Sequence, residues 1–147
     1  MTWPDPEEIQ FGLATATRPI EVILQIGTDA MEQENDNPSN VARRLKKYDG
    51  LISRILLDKS MGKGLGMDAI KLIPFARAIS DRFPELGLGA AGGLGPDTTH
   101  LVSPLLEKFP DLSFDAQSKL HPNGNILLPV DLGFAKTFLL RSLALTG

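Results

Sequence analysis

Short runs of aliphatic and β-branched residues alternate four times with longer stretches of helical period, and this order constrains the chain more than any single motif does. Residues 20–26, IEVILQI, follow Arg18-Pro19 and stop at Gly27, the pattern of a buried parallel strand. Residues 51–57 (LISRILL), the small-residue run 86–91 and residues 112–116 (LSFDA) repeat the pattern. A strand followed by a helix four times over implies parallel strands with right-handed crossovers, and so an α/β fold.

The intervening segments have helical signatures. Pro38 stands where a first turn tolerates proline, and Val41, Leu45 and Tyr48 recur at helical spacing. Arg43, Arg44, Lys46 and Lys47 fall on the other side and read as a solvated helix face rather than an anion site. A second helix is expected over 68–83 with Ile70, Ile73 and Ala76 inward and a kink or shifted start at Pro74. A third, opened by Pro96 and Asp97, holds Leu101, Leu105 and Leu106 and is shortened or bent by Pro104. A last helix over 131–145 sets Phe134, Phe138 and Ser142 in one line. Residues 1–147 read as one domain, with 1–18 an N-terminal helical extension capped by Asp5 and started by Pro6.

Composition removes several function classes. The formal charge of -3 gives no basic field for a nucleic-acid footprint, so the expected partners are small molecules or protein. The absence of cysteine excludes disulfides, thiolate zinc sites and cysteine nucleophiles within this chain. His100 and His121 have no partner at metal-ligand spacing, so neither a metal nor a cofactor is expected. There is no GxSxG elbow for serine hydrolysis. The start MTWPDPEEIQ is unlike a secretion signal, and no apolar run approaches the ~20 residues that span a bilayer, so a cytoplasmic protein without membrane contact is expected.

In a parallel α/β architecture the chemistry sits at the C-terminal ends of the strands, and here those positions are polar. The first strand ends in Gln25, Gly27, Thr28 and Asp29; the second in Asp58, Lys59 and Ser60; the third in Gly92, Gly93 and Leu94; the fourth in Asp115, Gln117 and Ser118. Asp58 follows a leucine run, where desolvation raises a carboxyl pKa and the adjacent Lys59 lowers it, so it is either a tuned general acid or a loop-bracing aspartate. The turn Gly92-Gly93-Leu94-Gly95 suits phosphate through its backbone N–H groups; the alternative is a tight βα turn that needs positive φ. Gly62-Lys63-Gly64-Leu65-Gly66 lacks the spacing of nucleotide-binding loops and reads as a mobile loop that brings Lys63 to a substrate, or as plain flexible chain.

Taken in order, three of these segments resemble the last three strands of the phosphoribosylanthranilate isomerase family, a TIM barrel. The segment from Ile55 to Lys59, with its Gly/Lys-rich loop, is similar to the strand-six segment, whose aspartate is the general acid; Asp58 falls on that acid. Ala91-Gly92-Gly93-Leu94-Gly95-Pro96-Asp97 is similar to the strand-seven motif. Phe114-Asp115-Ala116-Gln117-Ser118 resembles the strand-eight turn that completes the phosphate cup, with Gln117 in place of a serine and Lys119 in place of a glycine.

The resemblance covers residues 51–145, with 20–26 as a weaker fifth strand, and implies strands five to eight of a barrel. An open flavodoxin-like sheet is the alternative fold. The implied function is an isomerase-like, phosphate-binding protein acting on or binding a small sugar phosphate, with Asp58 as acid. Gly92, Gly93, Leu94, Gln117, Ser118 and Lys119 would lie around phosphate, with Lys63 on the loop. The family's general base is a cysteine on the first strand, which has no counterpart here. A non-catalytic ligand- or protein-binding relative, or a fragment of a larger barrel, is therefore the alternative function. A half-barrel leaves strand edges open, which predicts a homo-oligomer or a complementary barrel half as partner.

Overall fold

Every second side chain of a strand points to the same face, and in this chain that alternation separates two chemistries. The computed structural model describes residues 2–59 and 66–147. The strands are β1 (Ile23–Gly27), β2 (Arg54–Asp58), β3 (Gly87–Ala91) and the short β4 (Ser113–Phe114). They form one all-parallel sheet in the order β1-β2-β3-β4, with Gly27 level with Asp58 and Asp58 level with Ala91. The α/β expectation holds, and each strand begins one to three residues later than the apolar runs do.

Between the strands lie α2 (Thr28–Gln33), α3 (Pro38–Arg44), α4 (Ala69–Arg82) and α5 (Ser103–Leu106), with α1 (Pro6–Thr15) before the sheet and α6 (Leu132–Thr146) after it. Caps at the helix starts follow the sequence closely. The Asp5 side chain accepts from the Glu7 amide, Asn37 from Ser39 and Asn40, Asp68 from Lys71, and Asp131 from Phe134.

Leu24, Ile26, Ile55, Leu57, Leu88 and Ala90 share one core with Val41, Leu45, Leu72, Phe75, Ala76, Ile79, Val102 and Leu105 from the helices. Helix α4 packs beside α3 on one side and α5 on the other. The fully buried residues of α4 are Ala69, Leu72, Phe75, Ala76 and Ile79; of the expected inward residues Ala76 is buried and Ile73 packs half-buried against the core, and the expectation is corrected at Ile70. The i, i+3, i+7 set from Ala69 turns Ile70 outward, where it is 65% exposed. Pro74 is also exposed, so the helical hydrogen bond it cannot make lies on the solvent side and α4 runs through it.

The third helix departs most from expectation. Pro96 and Asp97 lie in a turn, a single 3-10 turn spans Thr99–Val102, and α5 is one turn long with Pro104 at its start. The basic cluster also divides. Arg43, Lys46 and Lys47 are exposed, but Arg44 bonds Glu34 at 2.9 Å and lies 5.2 Å over the Trp3 ring, which in turn stacks on Tyr48. Trp3 donates to the Ala30 carbonyl and Tyr48 to that of Pro4, so the segment before α1 is tied to the domain rather than extended from it.

The second sheet face carries Ile23, Gln25, Arg54, Leu56, Asp58 and Ser113, and none of these is buried. On β3 this face is Gly87, Gly89 and Ala91. A Cβ at Gly89 would stand 3.1 Å from both the Leu56 and Ser113 side chains, so neighbouring strands lean over a strip that only small residues leave room for.

Helix α6 rests on the sheet edge through Phe138, whose ring meets Phe114 edge-on at 6.2 Å, and through Arg141, which bonds Asp97 at 2.9 Å and the Pro96 carbonyl. None of its residues is fully buried, and Leu132, Leu139, Leu140 and Leu143 are exposed.

Candidate functional site

The C-terminal ends of the strands converge on one cavity of about 510 Å³. Its lining brings together Asp58 from β2, Gly92, Gly93 and Leu94 after β3, and Gln117 and Ser118 after β4, with Gln25, Leu56, Ala91, Asp115 and Ala116 completing the wall. Six of the eight residues that the sequence singled out therefore meet in one place. The other two do not join them. Lys119 lines a neighbouring cavity with Pro96, Asp97, His121 and Phe134, its stem so close to Gly95 that a Cβ there would stand 2.5 Å from the Lys119 Cβ. Lys63 and residues 60–65 lie outside the described residues.

Strand parity explains the position of Asp58. It lies two residues after Leu56 on the open face, whereas Leu57 and Lys59 point to the helix side. Lys59 there bonds Asp36 at 2.5 Å and lies 5.7 Å from the Phe75 ring. The expected influence of Lys59 on Asp58 is thus corrected: adjacent residues of a strand face opposite ways, and this cation is neutralised on the far side. The partner of Asp58 is Gln25, two residues before the end of β1, whose Nε2 donates to Oδ2 at 2.7 Å. The other carboxyl oxygen, Oδ1, is buried and accepts no hydrogen bond from the described residues.

Asp115 stands one step beyond the Ala90–Phe114 pair, and its amide continues the ladder by donating to the Ala90 carbonyl at 3.2 Å. Asp58, Ala91 and Asp115 therefore form a row across three strands, with the small Ala91 between two carboxyl groups. Partial burial, and secondly the Asp58 carboxylate, raise the Asp115 carboxyl above its ordinary value. The residue as a whole is exposed at the rim of the cavity, so the shift comes from nearby chain and charge rather than from full enclosure.

The glycine turn has the backbone that the sequence anticipated. Gly92 has φ 112° and Gly93 φ 64°, a pair of positive angles that side-chain-bearing residues rarely adopt. Thr98 donates its hydroxyl to the Gly93 carbonyl at 2.8 Å and Thr99 to the Gly95 carbonyl at 2.9 Å, fixing the turn from behind. The short 3-10 turn and α5 leave this site without a long helix aimed at it, so any anion there relies on the turns themselves.

Gln25 and Asp115 are the residues that motif reading left out of the candidate site, although both stand at strand ends. The signal for Gln25 was a lone amide in an aliphatic run, on the parity of Ile23 rather than that of Leu24 and Ile26. His121 bonds the Leu128 carbonyl and braces the loop before α6. Among the described residues, no three acid or histidine side chains gather where they would hold a metal ion, and no helix is long and apolar enough to cross a membrane. No protein-family model, curated protein or solved structure matches this chain.

Proposed function

We propose that this chain binds a small sugar phosphate at the C-terminal end of its sheet and acts as the acid and phosphate side of a barrel related to phosphoribosylanthranilate isomerase. The observation that carries the reading is the convergence of Asp58, the Gly92-Gly93-Leu94 turn and the Gln117-Ser118 turn on one cavity. The consecutive positive φ angles let the backbone of the turn approach an anion without a side chain in the way. The sugar would extend over Leu56 and Ala91 toward Gln25 and the two carboxyl groups.

The half-barrel form of this reading draws on strand order. A doubly wound flavodoxin-like sheet reverses direction from its first strand and covers both faces with helices. Here the order runs β1-β2-β3-β4 without reversal, and the residues of α3, α4 and α5 join a core on one face only, as around the outside of a barrel. The open face would then be the barrel interior. Closing it calls for more strands, supplied by a second copy or by a complementary half; Ile23, 57% exposed on β1, and the exposed leucines of α6 favour association.

Two measurements test this. Inorganic phosphate or ribose 5-phosphate at millimolar concentration is expected to raise the melting temperature, and no shift would remove the phosphate cup. Light scattering after gel filtration is expected to show an oligomer; a well-folded, monodisperse monomer would overturn the half-barrel. A second reading, a phosphate-binding protein without catalysis, is favoured by the absence of a cysteine base, and predicts stabilisation without turnover of an aminosugar phosphate.

A further inference from the structure

We infer that Asp58 and Asp115 are the two halves of an acid–base pair, with Asp115 delivering a proton to a substrate oxygen and Asp58 removing one from a neighbouring carbon. The inference rests on the sugar-phosphate reading of the cavity and changes one role within it. Asp58, which the family resemblance makes the acid, becomes the base, and the chain no longer needs a cysteine.

Geometry carries the assignment. The two residues flank Ala91 at one level of the sheet, two strand spacings apart, which puts their Cα atoms about 10 Å from one another. Both side chains belong to the face that lines the cavity, and the methyl group of Ala91 leaves the space between them free. Carboxyl groups set apart in this way do not bond each other; they stand on either side of whatever atoms lie over Ala91.

Their surroundings differ in the sense the two roles require. Asp58 is oriented by the Gln25 amide, which donates to Oδ2, and its buried Oδ1 receives no hydrogen bond from the described residues, as a proton acceptor should be. No hydrogen bond is made to the Asp115 side chain among the described residues. Partial burial and the charge of Asp58 both favour the protonated form of Asp115. Among the described residues, Lys59 is paired with Asp36, Arg54 donates to the Ser113 hydroxyl lower on the open face, and the Lys119 stem lies along Gly95.

For a phosphorylated aldosylamine the steps balance. Asp115 gives its proton to the ring oxygen as the C1–O bond breaks, and the nitrogen lone pair forms C1=N. Asp58 takes the proton from C2; the C–H pair becomes C1=C2 and the C=N pair returns to nitrogen. The enol hydroxyl then returns a proton to Asp115 as the C2 carbonyl forms, and Asp58 delivers its proton to C1. Both carboxyl groups end as they began, and no oxidant, metal or further reactant is consumed.

The test follows the aspartate side-chain carboxyl carbons by 13C NMR across pH in the full chain, in Asp58→Asn and in Asp115→Asn. Turnover of an aldosylamine phosphate and stabilisation by inorganic phosphate are measured beside it. Asp115 is expected to titrate above an ordinary aspartate and to fall back toward one in Asp58→Asn. Either variant is expected to lose roughly a hundredfold or more of turnover, the usual contribution of a positioned acid or base. Asp58→Asn is also expected to abolish exchange of the substrate C2 proton with deuterated solvent while leaving phosphate stabilisation in place. Ordinary titration of Asp115 that is indifferent to Asp58, or full turnover in Asp115→Asn, would overturn the pair even if phosphate binds. Coupled titration with no phosphate stabilisation would instead remove the sugar-phosphate reading and leave the carboxyl pair standing.

Discussion

The two faces of the sheet are built from the same four strands and differ in almost every physical respect. On the helix side Leu24, Ile26, Ile55 and Leu57 are sealed under α3 and α4. On the open side Gln25, Arg54, Leu56 and Asp58 alternate with them residue for residue and keep contact with the cavity or with solvent. One face thus supplies the free energy of folding, while the other is free to carry polar groups that a closed core would penalise. A one-residue shift in register would exchange them, placing Asp58 in the core and Leu57 in the cavity.

The comparison can be broken by paired substitutions. Leu57→Ala, on the sealed face, is expected to cost about 2–5 kcal/mol in chemical denaturation, and Leu56→Ala on the open face about 1 kcal/mol or less. Equal costs would mean that the open face is covered as thoroughly as the other. Gly92→Ala comes next. With φ 112° the new side chain strains the turn, and about 1–3 kcal/mol of stability should be lost together with phosphate binding. Unchanged binding in that variant would separate the glycine turn from the anion.

The smallest effect is electrostatic. Because folding raises the Asp115 carboxyl, the native state holds more protons than the unfolded chain between the ordinary and the raised values. Stability should fall as pH rises through that window, and the loss should be complete above it. Asp115→Asn removes the loss and should stabilise the neutral protein by roughly a few tenths of a kcal/mol, since the exposed rim screens the charge. A stability curve over this window that is identical in both proteins would deny Asp115 its partial burial.

Much of this was legible in the sequence because period-two alternation and turn residues act locally. The four strand segments, the caps at Asp5, Asn37, Asp68 and Asp131 and the positive φ of Gly92 and Gly93 all follow from residues within a few positions of one another. What sequence reasoning missed depends on partners far along the chain. Gln25 reaches Asp58 across 33 positions, and Lys59 turns from its neighbour to Asp36. Arg44 leaves its solvated face for Glu34 and Trp3. Lys119 lies on Gly95 because the turn after β4 folds back over the turn after β3. A strand order fixes levels and faces, but which of two nearby polar groups a long side chain chooses is decided by tertiary packing.

The central claim, that the open face ends in a sugar-phosphate site, is tested most directly by backbone NMR of the 15N-labelled chain titrated with ribose 5-phosphate. The account predicts saturable shifts concentrated at the amides of Gly92, Gly93, Leu94, Gln117 and Ser118, with weaker ones at Gln25 and Asp58. Shifts confined to the exposed Arg43, Lys46 and Lys47 of α3 and the turn after it, or no saturable shifts at all, would contradict it.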